Sequence, residues 1–159
     1  MGFATLTAAI DYPMVIVTVA ALGQRSGCLV GFHTQCSIRP RRYAVFLSRQ
    51  NHTYAVAQGA DVMAVHFPTT GQRALAELFG AETGDRVDKF SGCRWEPGPG
   101  GTPLLSDCPS RLIGRVADRI DVGDHVAYVL DVFEATVAGP SPTFLTFQQI
   151  RDLEPGHPA

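Results

Sequence analysis

The run Tyr12 to Leu22, YPMVIVTVAAL, is apolar and β-branched on both of its alternating faces, so a strand built from it has to be covered on both sides. Gly23, Gln24 and Arg25 follow as a hairpin turn, and Ser26 to Phe32 reads as a second strand. A connection containing Pro40, which neither a helix nor a central strand tolerates, leads to a third strand at Tyr43 to Ser48. Tyr54 to Gln58 reads as a short helix and Asp61 to Phe67 as a fourth strand. Gly71 to Phe79 forms an amphipathic helix with Leu75, Leu78 and Phe79 on one face. Glycine, proline and charge then dominate an irregular excursion from Ala81 to Pro109, expected to be anchored by Phe90 and Trp95. Arg111 to Ile120 and His125 to Val137 resume as paired strands around Gly123, with a last short strand at Phe144 to Phe147. Six or seven strands, one substantial helix and no strand–helix alternation describe a mainly β fold closed as a barrel, not a doubly wound sheet.

With 159 residues, 45% of them apolar, the chain can bury a substantial core as one domain over residues 1–159. Thirteen basic against fifteen acidic side chains argue against a protein that works on the nucleic-acid backbone. No apolar run approaches the roughly 20 residues of a membrane span, and Met1 to Ala9 lacks the basic region of a signal peptide, so a cytoplasmic location is expected. The cysteines at 28, 36, 93 and 108 have no CxxC spacing. Reduced thiols packed as small hydrophobes are expected, and no metal.

No GxSxG elbow, GxxxxGK[ST] loop or GxGxxG turn is present, so an enzyme of this design needs a cofactor to carry the chemistry. The stretch Gly27 to Thr53 holds the best candidates. Asn51, His52 and Thr53 precede a helical segment, where backbone N–H groups and the helix dipole suit a phosphate; the Thr53 hydroxyl alternatively caps the helix. Gly31 allows close approach of a ligand, or marks a bulge. Arg39, Arg41 and Arg42 read as a clamp for a dinucleotide phosphate or as a solvated basic turn. His33 and His66 read first as packing histidines, and Trp95 as a loop anchor.

Taken in order, several segments resemble the flavin reductase-like proteins of the FMN-binding split-barrel class. They are Gly27 through Pro40, Asn51-His52-Thr53, Ala64-Val65-His66, Gln72 with Leu75 through Phe79, Asp88-Lys89-Phe90, Trp95, Gly101 through Leu105, and Gly123-Asp124-His125. The resemblance implies an antiparallel, Greek-key-like split β-barrel with one or two flanking helices. It implies a homodimer with flavin at the subunit interface, hydride passing from NADH or NADPH to FMN or FAD, and reduced flavin supplied to a monooxygenase. Carried onto this chain, the flavin contacts are Gly31, Phe32, His33, Thr34, Ser37, Asn51, His52, Thr53, Lys89 and Phe90, with His125 on the nicotinamide side as the catalytic candidate. The segment Leu29 to Ser37 departs from the family's run of threonine and serine, which takes away several hydroxyl donors. Two alternatives stay open: a barrel that binds flavin without turnover, and a deazaflavin-dependent reductase.

Overall fold

A computed structural model describes residues 2–81 and 88–153. Helix α1 (Gly2–Ala9) leads into β1 (Val15–Ala21), β2 (Gln24–Val30), β3 (His33–Ser37) and β4 (Arg42–Ser48). Helix α2 (His52–Ala57), β5 (Val62–His66) and α3 (Arg73–Ala81) follow. A small hairpin of β6 (Trp95–Pro97) and β7 (Pro103–Leu105) precedes the long pair β8 (Arg111–Asp121) and β9 (His125–Thr136), and α4 (Phe147–Ile150) comes last. Seven strands form one antiparallel sheet in the order β2-β1-β5-β8-β9-β4-β3.

β2 and β3 are the two edges of that sheet, yet only Gly31 and Phe32 lie between them. Three residue steps of extended chain reach roughly 10 Å, so the sheet has to roll until its edges nearly meet. The barrel is therefore closed covalently at Gly31–Phe32 and left without a ladder between β2 and β4, the split that the fold expectation required. Inside it, Val15, Val17 and Val19 of β1 pack with Cys28, Val45, Leu47, Met63, Val65 and Leu130. The alternate β1 residue Ile16 faces a second cluster of Phe79, Phe90, Leu105 and Cys108, which is why both faces of this strand are apolar.

Several local expectations are corrected. The first hairpin turns at Leu22 and Gly23, both with positive φ (52° and 76°), one residue earlier than the glycine-led turn expected. Ser26 to Phe32 is only part of the second region: the chain crosses the split at Phe32 and runs on as β3, a strand not foreseen, against β4. Phe144 to Phe147 supplies no strand. It makes single bridges, Thr69 to Phe144 and Pro13 to Thr146, and then enters α4. Of the long excursion, residues 82–87 lie outside the described residues; the rest is anchored by Phe90 and Trp95, with Arg25 stacked 4.7 Å over the indole.

His66 ties the two clusters together. Its Nε2 accepts from Leu105 N at 3.1 Å and its Nδ1 lies 3.1 Å from the Ile16 carbonyl, so these partners assign the Nδ1–H tautomer and leave no room for a second ring proton. Burial pushes this imidazole down to about 4. Because the folded chain then binds the proton less well than the unfolded chain, His66 favours the fold fully above about pH 6.5, and that contribution is lost as pH falls toward 4. The expected loss is roughly 3 kcal/mol across that window, read from denaturant midpoints at stepped pH. His66→Gln should flatten the profile; an unchanged slope would place the proton uptake elsewhere.

Candidate functional site

The split holds a cleft of about 220 Å³, lined by the end of β2, by Gly31 and Phe32, by Phe46 to Ser48 of β4, and by Asn51, His125, Tyr12 and Phe147. Each lining segment is brought there by the barrel closure. β9 pairs with β4 so that Ser48 stands opposite His125, and Phe46 N donates to the Phe32 carbonyl at 2.9 Å, continuing the ladder across the crossing.

His125 is held from two sides. Its ring lies 5.0 Å from that of Phe32, tilted by 42°, and its Nδ1 is 2.7 Å from Asp124 Oδ1. Nε2 has no partner within the described residues and is the nitrogen available to a ligand. The turn that carries His125 is clamped by Arg49, whose Nη2 sits 2.8 Å from Asp121 and whose Nε donates to the Gly123 carbonyl at 3.0 Å. Arg49 also donates to Tyr54 Oη of α2, so one guanidinium fixes the His125 turn to the helix beside the cleft. The ion pair raises the Arg49 pKa and lowers that of Asp121, each chiefly through their shared hydrogen bond.

Four of the residues expected from sequence line the cleft together: Gly31, Phe32, Asn51 and His125. His52 stands next to them at the start of α2. The others are placed differently. Asn51 caps α2 by accepting from Thr53 N at 2.9 Å, and Asn51 N itself donates to the Ser48 carbonyl at 3.0 Å, so two of the N–H groups expected to face an anion are used locally. Thr53 is buried and its hydroxyl sits 2.8 Å from Ser26 Oγ, under the helix and not in the cleft. His33 is bound at Nδ1 by Tyr43 Oη and at Nε2 by the Pro13 carbonyl, both at 2.6 Å, and burial lowers its pKa. Thr34 and Ser37 lie farther along β3, outside the cleft lining; the Thr34 hydroxyl bonds locally to the Gln35 carbonyl.

Lys89 and Phe90 are corrected most. Lys89 is buried, and its Nζ donates to the carbonyls of Gly27 at 3.0 Å and Phe79 at 2.9 Å, fastening the free edge of β2 to the end of α3. The three-donor ammonium is the group that can satisfy several buried carbonyls at once, which polar loop composition does not reveal. Phe90 packs edge-on between Phe79 and Trp95. Gly31 does require its missing Cβ, although the close neighbour is Tyr12: an added Cβ would lie 2.8 Å from its ring and 3.4 Å from Met14 Sδ. Arg42 pairs with Asp131, while Arg39 and Arg41 are exposed at the far end of the β3–β4 hairpin. That is roughly 15–20 Å along the strand from the cleft of the same chain.

Tyr12, Phe147 and Arg49 were missed by sequence reasoning. Tyr12 and Phe147 stand at opposite ends of the chain, stacked at 5.1 Å with rings 11° from parallel, and no periodicity links them. Arg49 had a signal in its place two residues before Asn51.

Residues 7–154 match the flavin reductase-like domain family, and the chain belongs to it. It is 26% identical over 134 residues to a ferric-chelate reductase (NAD(P)H) of Archaeoglobus fulgidus, covering 80% of this chain and 77% of that protein. It is 26% identical over 110 residues to the FMN reductase (NADH) RutF of Bradyrhizobium diazoefficiens, covering 69% of this chain and 61% of that relative's length. A flavin reductase domain protein from Arthrobacter sp. FB24 superposes with a TM-score of 0.83 at 24% identity, over 99% of this chain and 94% of that one, which shows the shared fold.

Replacing Lys89 with methionine should lower stability by about 2–4 kcal/mol, since buried carbonyls lose a charged donor. The ratio of FMN to riboflavin affinity, which reports on phosphate recognition, should stay as it is. A collapse of that ratio without loss of stability would return Lys89 to the phosphate.

Proposed function

We propose that this member of the flavin reductase-like family passes hydride from NADH or NADPH to FMN or FAD seated in the cleft between β2 and β4, and supplies reduced flavin to a monooxygenase. The observation that carries this reading is the cleft itself, set where the sheet leaves its ladder open and flanked by the Phe32–His125 pair. A planar heteroaromatic ring with hydrogen-bonding groups on one edge fits such a place. Main-chain groups at the end of β2 meet its polar edge, and aromatic side chains meet its face.

When bound, flavin supplies the hydride acceptor, and the chain's own residues position the reactants. Backbone groups take over where the hydroxyl-rich family segment is replaced by Leu29 to Ser37, since Thr34 lies outside the cleft. Asp124 fixes the His125 ring through Nδ1, which leaves Nε2 to orient the nicotinamide or to hydrogen-bond a ligand. Holding two rings in contact, with few degrees of freedom left, is the larger contribution.

The decisive assay is oxidation of NADH and NADPH with added FMN or FAD, followed at the nicotinamide absorbance. Flavin binding without nicotinamide consumption would favour the carrier reading instead. In stopped-flow reduction, His125→Ala should slow hydride transfer about tenfold or more. A wild-type rate constant would remove His125 from the reaction.

The chain also leaves Phe32, Ile38, Ile120, Val122, Phe133 and Val137 exposed, a large apolar complement for a surface. This supports a homodimer, and sedimentation equilibrium should give twice the 17.1 kDa chain mass. A monomer at micromolar concentration would overturn the dimer.

A further inference from the structure

Helix α1 buries none of its residues, and Gly2 to Ile10, GFATLTAAI, carries no charged side chain. Phe3 is 78% exposed, Leu6 65% and Ile10 48%, although these are the large apolar side chains of the segment. Their spacing of three and four residues sets them within about 60° of one another around the helix axis, as a single apolar stripe. Ile10 N donates to the Thr7 carbonyl at 3.2 Å, which carries the last turn out to that residue.

A helix of eight residues is too short to keep its shape in water on its own hydrogen bonds. Gln148 holds its C-terminal end, donating from Nε2 to the carbonyls of Ala8 at 2.9 Å and Ile10 at 3.2 Å, and leaves the apolar stripe uncovered. The root of the helix is fixed at the edge of the sheet: the Pro13 carbonyl lies 2.6 Å from His33 Nε2 at the start of β3. At the two ends of that strand stand Phe32 and Ile38, both exposed and both part of the apolar surface proposed above for the homodimer. The stripe and that surface therefore begin at the same edge of the sheet.

We propose that α1 is an exchanged arm: in the homodimer, each copy lays the Phe3–Leu6–Ile10 stripe against the exposed apolar side chains of the other. The inference rests on the homodimer reading and goes beyond it by naming a segment that makes the interface. A stable interface takes roughly 800 Å² from each partner, more than three side chains supply, so the stripe has to act together with Phe32, Ile38 and the other exposed apolar residues of the barrel. A two-fold axis makes both contacts at once, because each chain carries both the stripe and the surface. A lipid surface is the poorer occupant, since helices that lie on membranes carry lysine and arginine on their polar face and α1 has neither.

The full chain and its Phe3→Ser/Leu6→Ser double variant are compared by sedimentation equilibrium over a concentration series, with circular dichroism to confirm folding. Both side chains are exposed in the single chain, so the substitutions leave the barrel intact. Counted twice in a symmetric dimer, they should raise the dimer dissociation constant about a hundredfold or more. As a second measurement on the otherwise unchanged chain, Leu6→p-benzoylphenylalanine is irradiated, and the expected product is a covalent pair of chains. A wild-type dimer matched in strength by the double variant would overturn the arm and leave the homodimer standing. Cross-linking confined within one chain would overturn it as well, and a wild-type monomer would sink both the arm and the dimer. Binding of the wild-type chain to phosphatidylcholine vesicles, abolished in the double variant, would assign the stripe to lipid and overturn the proposal.

Discussion

The two-residue crossing between β2 and β3 is the constraint from which the rest of the molecule follows. An antiparallel sheet of seven strands has two unpaired edges, and an open edge invites association. Here Gly31 and Phe32 tether the edges to each other, so the sheet is forced into a barrel that cannot complete its ladder at the tether. The gap is thus a product of closure, lined by the end of β2, by Gly31 and Phe32, and by the aromatic rings of Tyr12, Phe46 and Phe147.

Polar side-chain contacts brace the elements around the gap. The α2 helix, packed on β1, β2 and β4, is capped by Asn51 at one end, while Arg119 donates to the carbonyls of Ala57 and Ala60 at the other. Lys89 holds the outer side of β2. Arg49 holds the His125 turn. The arginine and lysine contacts among these come from positions distant in sequence and tie neighbouring elements together.

The strands and their apolar faces were legible because period-two patterning and burial are the same fact seen twice. Tyr12 to Leu22 announced a doubly covered strand, and β1 is packed on both faces. β3 was not legible: His33 to Ser37 carries exposed polar side chains on an edge strand, where no apolar alternation is demanded. The site was half legible. Gly31, Phe32, Asn51 and His125 sit in local patterns that survive in sequence, whereas Lys89 looked like loop composition and proved to be buried wiring. Tyr12 and Phe147 belong to the wall through tertiary contact alone, which leaves no mark in either neighbourhood.

That wall joins segments 137 residues apart at the Asp11–Gln148 contact. Closing so long a loop is entropically unfavourable until the barrel between its ends has formed. The wall of the cleft is therefore complete only when the first and last segments have both docked on the barrel. A ligand seated there would act as a proofreader of folding, drawing the equilibrium toward only those molecules whose first and final segments have met.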